Sequence, residues 1–213
     1  MKKILIVLAV LVGIVVLFGI WLAGGYNRLV GLSQTVDKQW AQVQTVYQRR
    51  ADLIPNLVNT VSGSANFEKS TLTEVTNARA SVGQLKIDPT AAPTDPQQLQ
   101  QFQAAQNQLS GALSRLLVVV ERYPELKSSQ NFMNLQAQLE GTENRIAVER
   151  RNFNEAVQAY NTTTKRFPTV LYAGMFGFSP KPYFQSEAGA EKAPTVQFDF
   201  GNNPNAPKPP VEK

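Results

Sequence analysis

The side chains most capable of acid–base chemistry lie together between Leu135 and Asn161. Two neighbouring carboxylates can act as general acid and general base when a cleft separates their pKa values. Carboxylate oxygens can also hold a hard cation such as Mg²⁺ or Ca²⁺. The alternative is that these charges form the polar faces of a packed helix. The residues concerned are Glu140, Glu143, Arg145, Glu149, Arg150, Arg151 and Glu155.

The spacing of the residues around these charges predicts one long helix. From Phe132 onward, the residues of one face recur every three or four positions, which is typical of a helix packed along a single seam. We expect this helix to begin near Ser128 or Ser129 and to run to about Arg166. The predicted seam is Phe132, Leu135, Leu139, Thr142, Ile146, Glu149, Phe153, Ala156, Tyr160 and Thr163.

Most of the charges take ordinary surface positions on such a helix. Arg145 and Glu149 are four residues apart, as are Arg151 and Glu155, so each pair could contribute about 0.3–0.5 kcal/mol at the surface. We therefore interpret the charges of this stretch as the solvated face of a bundle helix.

Glu140 and Glu143 are three residues apart and share one flank of the helix. An acid–base pair needs a cleft, and the sequence gives no sign of one. An enzyme that uses these two carboxylates with a hard metal ion is the alternative. Retained function in a Glu143→Gln variant would exclude it.

Two charged residues interrupt otherwise apolar seams. Glu149 lies in the seam of the long helix, and Arg50 lies in the seam of an earlier helix, between Tyr47 and Ile54. A charge at such a position is costly alone, but a hydrogen-bonded pair can fix register. We hypothesise that Arg50 and Glu149 meet inside the bundle. The alternative is that both extend outward at a bundle edge.

The sequence contains no histidine and no cysteine. An imidazole base, a cysteine nucleophile, a Cys/His zinc site and a haem ligated by His or Cys are therefore excluded. The formal net charge of +5 is mild for 213 residues. The basic residues form no stripe with interleaved aromatics, so nucleic-acid binding is not expected. We predict no cofactor and no metal.

An uninterrupted apolar segment, Ile4–Ala23, has the length of a membrane span. At 1.5 Å per residue it extends about 30 Å, the thickness of a bilayer's hydrocarbon core. A cleavable signal peptide, with Lys2 and Lys3 as its basic start, is the alternative, but its apolar stretch would be about 7–15 residues. We predict an uncleaved anchor, with Trp21 and Tyr26 at its far interface.

The remaining periodicity predicts three more helices. The first continues out of the membrane span with a kink at Pro55, and breaks at Ser62–Phe67. A second helix leads to a proline-rich linker, and the third begins at Asp95 and Pro96, an N-cap and a first-turn proline, and closes at Pro124. The predicted fold is all-α: a transmembrane helix that continues into an antiparallel, up-and-down, four-helix-type bundle with coiled-coil-like seams.

The C-terminal region is of two kinds. Residues 167–186, here called the strap, are aromatic and rich in glycine and proline, so we expect ordered backbone that covers the bundle's own core or a neighbouring subunit. Residues 187–213 are rich in Pro and Asn and are predicted to be disordered. The predicted organisation is a basic N-terminus at 1–3, an anchor at 4–24, a helical-bundle domain at 25–186 and a tail at 187–213. The strap aromatics are Phe176, Phe178, Tyr183 and Phe184.

Several long blocks of this sequence resemble the LemA family of bacterial membrane proteins. They are YNRLVGLSQTVDKQWAQVQTVYQRRADLIPNLV (Tyr26–Val58), TLTEVTNARA (Thr71–Ala80), LSRLLVVVERYPELKSSQNFMNLQAQLEGTENRIAVERRNFNEAVQAYN (Leu113–Asn161) and FPTVLYAGMFGFSPKPYF (Phe167–Phe184). The resemblance implies a membrane segment and an antiparallel helical bundle with no established biochemical activity. It also suggests an association with envelope proteins such as membrane-bound proteases.

The resemblance rests on two short motifs in particular. One is RRADLIPNL and the other is QLEGTENR, where Gln138 replaces a commonly acidic residue. It implies structural or interaction roles for the matching residues, and no catalytic role. These residues are Arg49, Arg50, Asp52, Pro55, Asn56, Glu140, Glu143, Asn144 and Arg145.

The expected function is a single-pass, membrane-anchored scaffold or assembly protein of the bacterial cell envelope, without catalytic activity. The alternative is a peptide- or lipid-binding membrane module, accessory to another membrane protein, in which Arg49 and Arg50 contact an anionic group. Lys2 and Lys3 favour a cytoplasmic N-terminus in the inner membrane, with the bundle outside the cytoplasm. Expected partners are the lipid bilayer, further copies of the chain and other envelope proteins such as a membrane protease.

Overall fold

The computed structural model describes residues 2–64, 67–85 and 87–185, and every regular element in these ranges is helical. The predicted all-α class is therefore confirmed. The predicted tail at 187–213 and the last strap residue lie outside the described residues. The elements are α1 (Lys2–Ser62), α2 (Lys69–Gly83), α3 (Pro96–Val120), α4 (Pro124–Lys127) and α5 (Gln130–Lys165), followed by 3₁₀ turns at Thr169–Leu171 and Gly174–Phe176.

Helix α1 joins the apolar N-terminal segment to the bundle in 61 uninterrupted residues. It continues past Pro55, so the prediction that the proline does not stop the helix is confirmed. Ile54 and Leu57 on either side of the proline are both buried. Its first part is long and apolar enough to cross a membrane by length and composition. No residue of its most apolar stretch is buried inside the described protein, which fits a lipid-exposed helix.

Helices α1, α2, α3 and α5 alternate in direction. The contacts of Trp40 with Phe153 and of Arg50 with Glu143 pair α1 and α5 in antiparallel order. Helix α2 runs antiparallel to α3, since Glu74 pairs with Arg115 further along the chain while the earlier Glu68 pairs with the later Arg122. The predicted up-and-down arrangement of long helices is confirmed.

Helix α3 starts as predicted and ends earlier than predicted. Asp95 caps it by accepting a hydrogen bond from the Gln97 backbone N–H at 2.8 Å. It ends at Val120, and Pro124 opens α4 instead of closing α3. A proline suits the first turn of a helix and disfavours helical geometry in the residue before it, and Tyr123 accordingly has φ −122° and ψ 80°.

The buried face of α5 follows the predicted seam at first and then departs from it. Towards its C-terminal end Tyr160 of the predicted seam is buried, but Val157 and Thr164 are buried where the sequence predicted Ala156 and Thr163, and Asn161 is buried as well. A straight helix with 3.6 residues per turn drifts by about 20° per heptad against a strict seven-residue repeat. Over the 36 residues of α5 this drift moves the buried face by one position.

The strap is held to α5 by two asparagine side chains. Asn161 exchanges two hydrogen bonds with the backbone of Lys181, both at 2.8 Å. Asn154 does the same with the backbone of Phe184, at 3.0 and 2.9 Å. Each side-chain amide therefore satisfies both the backbone N–H and the backbone C=O of one strap residue, as a neighbouring β-strand would. The strap closes the bundle's own core at this point, because Phe184 is buried there.

Candidate functional site: the Arg50 cluster

Arg50 lies in the interior of the bundle, in the apolar row that α1 presents to α3 and α5. Its side chain is only 1% exposed. The residues around it are Tyr47 on α1, Gln106 and Ser110 on α3, and Glu143 on α5; with Arg50 they form what we call the Arg50 cluster. One guanidinium thus connects three of the four long helices.

The hydrogen bonds of Arg50 come from both terminal nitrogens. Nη1 donates to Ser110 Oγ at 2.8 Å and to Glu143 Oε1 at 2.6 Å. Nη2 donates to the backbone oxygen of Gln106 at 3.3 Å and to its side-chain Oε1. Among the described residues Nε has no acceptor. Four of the five guanidinium donors are therefore satisfied.

The ion pair in this cluster is buried at one end only. The Glu143 side chain is 43% exposed, so its carboxylate reaches solvent while the guanidinium does not. Burying a charge without a partner is strongly unfavourable, and removing one member of a buried pair typically costs about 3–5 kcal/mol. Because Glu143 keeps part of its hydration, we expect its removal to cost less than the upper end of that range.

Tyr47 supplies an aromatic wall to the cluster. The Arg50 guanidinium carbon lies 5.1 Å from the centre of its ring. Burial raises the pKa of the Tyr47 phenol above its ordinary value, and the positive charges of Arg150 and Arg50 oppose this rise without cancelling it. The phenol is therefore protonated at neutral pH and cannot act as a base.

The predicted ion pair between Arg50 and Glu149 is wrong, because a different carboxylate meets Arg50. Glu143 meets Arg50, and it is six residues, or about 9 Å of helix, from Glu149. Glu149 instead accepts a hydrogen bond from Asn152 at 3.1 Å and lies 3.8 Å from Arg145. The hypothesis was correct that a carboxylate of α5 meets Arg50 inside the bundle.

The other residues of the RRADLIPNL motif lie on the outer face of α1. Arg49, Asp52, Pro55 and Asn56 are not buried, and Asp52 accepts a hydrogen bond from Gln48 at 2.8 Å. Together with Pro89, three of them line an open depression of about 780 Å³. Arg49 and Arg50 therefore point to different environments, and Arg50 is not accessible to an external anionic ligand.

The carboxylates of the QLEGTENR motif are not brought together. Glu140 is exposed and accepts a hydrogen bond from Gln136 at 2.9 Å, whereas Glu143 turns towards Arg50. Asn144 and Arg145 are exposed. The predicted surface pair of Arg145 with the residue four positions on is present at 3.8 Å. The second predicted surface pair, Arg151 with Glu155, is not among the ion pairs of the described residues.

The four strap aromatics occupy different environments. Phe184 packs against Trp40, Phe102 and Phe153 in the core, and Phe178 is partly buried against Tyr26. Phe176 and Tyr183 remain about half exposed.

Several polar residues that fasten the strap were missed by the sequence reasoning. They include Asp37, Gln103, Asn154 and Asn161. Asp37 pairs with Lys181 at 2.8 Å and accepts from the Ala92 backbone N–H at 3.0 Å. Allowance for the drift of α5 would have placed Asn161 on the buried face, where a polar residue signals a partner.

The Arg50 cluster is arranged for structure more than for reaction. Ser110 Oγ accepts a hydrogen bond from a cation, an arrangement that does not remove its proton. In residues 2–64, 67–85 and 87–185 no group of three or more His, Cys, Asp or Glu side chains is placed to hold a metal ion. The geometry that is present can neutralise a buried charge and fix the mutual register of α1, α3 and α5.

Comparison with known proteins identifies related chains. Magnetosome protein MamQ 2 of Paramagnetospirillum magneticum is 27% identical over 78% of this chain and 66% of its own length. Magnetosome protein MamQ of Magnetospirillum gryphiswaldense is 25% identical over the same shares. Protein LemA of Metamycoplasma hominis is 23% identical over 70% of this chain and 64% of its own length. The chain thus spans about two thirds of the curated relatives that it matches.

A family model also matches the chain over most of its length. The model describes the LemA family and covers residues 39–198, which include all of the Arg50 cluster and the described strap. The family match, the apolar N-terminal helix and the helical bundle agree in indicating a membrane-associated helical protein. The chain belongs to the LemA family.

Proposed function

We propose that this protein is a single-pass, membrane-anchored scaffold of the bacterial cell envelope that holds partner proteins on its helical bundle and catalyses no reaction. The observation that carries the proposal is the continuity of α1. One helix contains the apolar span and also contributes Leu29, Val36 and Trp40 to the core. A bundle attached in this way is held at a fixed height above the membrane surface.

The outer face of α1 is the proposed contact surface. It carries Arg49, Asp52 and Asn56 around an open depression, and these side chains make few contacts within the described chain. Polar residues of both charge signs favour a specific protein partner over a lipid or nucleic-acid surface. The proposed partners are a second copy of this chain and other envelope membrane proteins, such as a membrane protease.

The names of the relatives support an assembly role. The MamQ proteins are named as magnetosome proteins, after a structure and not after a reaction. The Arg50 cluster agrees with such a role, because it uses its charges inside the bundle and leaves the outer faces free for contact.

Cross-linking in native membranes tests the scaffold proposal. The chain has no cysteine of its own, so a photo-cross-linker can be attached to Asn56→Cys, with Thr73→Cys on the exposed face of α2 as the matched control. We expect discrete adducts, with a second copy or an envelope protein, from position 56 and not from position 73. Monomer alone from both positions, or the same adducts from both, would contradict the proposal.

The proposed topology places the N-terminus in the cytoplasm and the bundle outside it, in the inner membrane. The motivation is the pair Lys2 and Lys3 before the span. Alkaline phosphatase fused after Lys213 should be active, and a green fluorescent protein at the same position should be dark. The reverse result would place the bundle in the cytoplasm and redirect the search for partners.

A second candidate function is the binding of a peptide in a cavity between α1, α2 and α3. The cavity has a volume of about 350 Å³ and is lined partly by Gln44, Gln48 and Gln106. Gln44 Nε2 is buried without an acceptor in the part of the chain that the structure describes, and a peptide carbonyl would supply one. Under this alternative Gln44→Leu abolishes the capture of peptides from an array, while Gln48→Leu at the exposed rim leaves it intact. Equal capture by both variants would exclude it.

A further inference from the structure

The membrane-proximal end of the bundle carries a patch of exposed apolar side chains. Phe167 is 80% exposed and Met175 is 85% exposed, and Leu171 between them is also exposed. They border an apolar depression of about 610 Å³ whose opposite wall is formed by Phe18, Trp21 and Leu22 of α1. Exposed apolar clusters of this kind on a soluble surface mark an interaction site.

The contacts of this patch with α1 indicate its depth in the bilayer. Trp21 packs edge-on against Tyr172 of the strap, with ring centres 6.1 Å apart. The apolar span of α1 ends at Ala23, so Phe18 lies about 7.5 Å inside that end. If the span fills the hydrocarbon core, the strap side chains that face Phe18 and Trp21 lie at the edge of the acyl chains.

A second depression lies one turn further along α1, next to the first. It measures about 470 Å³, and Arg28 of α1 and Arg166 at the end of α5 both line it. Thr163 and Thr169 add hydroxyl groups, and Trp21 and Tyr172 belong to both depressions. The headgroup layer of a bilayer is about 5–7 Å thick on each side. The Arg28 backbone lies about 7.5 Å beyond Ala23, at the outer edge of this layer. Its long side chain can extend back into the headgroups, and Arg166 lines the same depression.

The two arginines have no ion-pair partner among the residues that the structure describes. The first carboxylate after the span is Asp37, which already pairs with Lys181. On the other side the sequence has no Asp or Glu from Ala156 to Ser186. Within the described residues, this end of the bundle therefore presents two guanidiniums whose charge is not neutralised by a carboxylate.

Gly25 keeps the strap against α1 at this level. A Cβ atom on Gly25 would overlap the hydroxyl group of Tyr172, so a larger side chain here must displace the Tyr172 ring. The strap is also fixed from the other side by the Asn161 and Asn154 amides. The apolar patch and the two arginines therefore lie side by side at the membrane end of the bundle.

We propose that this surface binds one leaflet of the bilayer, with an anionic phospholipid headgroup between Arg28 and Arg166 and its acyl chains along Leu171, Met175 and Phe176. The proposal rests on the membrane anchoring of α1 and not on the scaffold role. It makes the strap a second membrane contact beside the span. Such a contact prevents the bundle from tilting freely on its single helix.

Depth measurement tests the apolar half of the proposal. The full chain is reconstituted in vesicles of phosphatidylcholine and phosphatidylglycerol, with one nitroxide label at Met175→Cys. Val118→Cys on α3, an exposed apolar position 71% exposed, is the control. We expect the label at position 175 to be more accessible to oxygen than to a water-soluble nickel chelate, and the label at 118 to show the opposite. Preference for the nickel chelate at both positions, or low access of both reagents at 175 as beneath a second protein copy, would overturn the proposal.

Lipid selectivity tests the charged half. Trp21 borders both depressions, whereas Trp40 is buried in the core, so quenching by brominated lipids reports on Trp21. Brominated phosphatidylglycerol should quench more strongly than brominated phosphatidylcholine at equal fraction. One basic residue near a surface contributes about a fivefold preference for anionic lipid, so Arg166→Gln should reduce the preference by about that factor. Arg151→Gln, at an exposed position further back on α5, should leave it unchanged.

The strap geometry gives a further control. Gly25→Val should reduce the difference between the two lipids by displacing Tyr172, although both arginines remain. Equal quenching by the two lipids in the unmodified chain would exclude the headgroup site. An unchanged preference in Arg28→Gln/Arg166→Gln would exclude it as well.

Discussion

Arg50 has surroundings opposite to those of Arg28 and Arg166. Arg50 is enclosed in the middle of the bundle and bonded to groups from α3 and α5. Arg28 and Arg166 line an open depression at the membrane end, without a carboxylate partner in the described part of the chain. The charge of Arg50 is satisfied inside the fold. The charges at the membrane end are available to an external anion, so burial and partners, and not residue type, decide the role of each arginine.

The enclosed charge of Arg50 stabilises the bundle, whereas the charges at the membrane end are placed to contact lipid. Substitutions in and around the enclosed region should change the free energy of unfolding and leave lipid contact intact. Substitutions at the membrane end should change lipid contact with little effect on stability. Each prediction below tests one side of this division.

The largest stability effect is expected where the strap enters the core. Phe184 is 5% exposed and contacts three core aromatics. Phe184→Ala leaves a cavity and should lower the free energy of unfolding by about 3–5 kcal/mol in detergent-solubilised full-length protein. Tyr183→Ala, at the exposed neighbouring position, should change it by about 0.5 kcal/mol or less. Similar losses for the two variants would mean that the strap is not part of the core.

A smaller loss is expected from the amide that fastens the strap. Asn161→Ala removes two hydrogen bonds and leaves the Lys181 backbone groups buried without partners, which should cost about 1–3 kcal/mol. Hydrogen exchange of the strap backbone amides should be faster in the Asn161→Ala variant. Asn144→Ala, at an exposed position of the same helix, is the control. Unchanged exchange in the Asn161 variant would contradict this anchoring role.

The smallest effect is a dependence of stability on alkaline pH. Burial raises the pKa of the Tyr47 phenol, so the unfolded state loses this proton at lower pH than the folded state. The stabilising contribution is complete below the ordinary tyrosine pKa of about 10 and is lost as the pH rises towards the raised value, with a slope of at most about 1.4 kcal/mol per pH unit. Tyr47→Phe should flatten this part of the unfolding profile. An equally steep decline in that variant would assign the effect to other groups, such as Tyr160, whose pKa burial also raises.

The helices were predictable because they depend on local periodicity and capping. The start of α5 at Ser129, the start of α3 at Asp95 and the passage of α1 through Pro55 were all read from the sequence. The end of α3 was not, because Pro124 can close one helix or open the next, and only the geometry of Tyr123 decides between them.

The sequence predicted that Arg50 is buried and paired with a carboxylate, but not which carboxylate pairs with it. A charge within an apolar seam identified Arg50 as buried and paired. The identity of its carboxylate depends on the reach of a flanking side chain, since Glu143 extends inward from a position beside the seam. The seating of the strap depends on contacts distant in sequence, such as Asp37 with Lys181, which no local pattern encodes.

A double-mutant cycle at the Arg50 cluster tests most directly the central claim that this charge is enclosed as a structural element of the bundle. Unfolding would be measured for Arg50→Met, Glu143→Gln and the double variant, with Glu149→Gln replacing Glu143→Gln in a control cycle. The account predicts a coupling of about 1.5–3 kcal/mol between Arg50 and Glu143. It also predicts additivity within about 0.5 kcal/mol between Arg50 and Glu149. Additivity in the first cycle, or the larger coupling in the second, would contradict the structural role assigned here to Glu143.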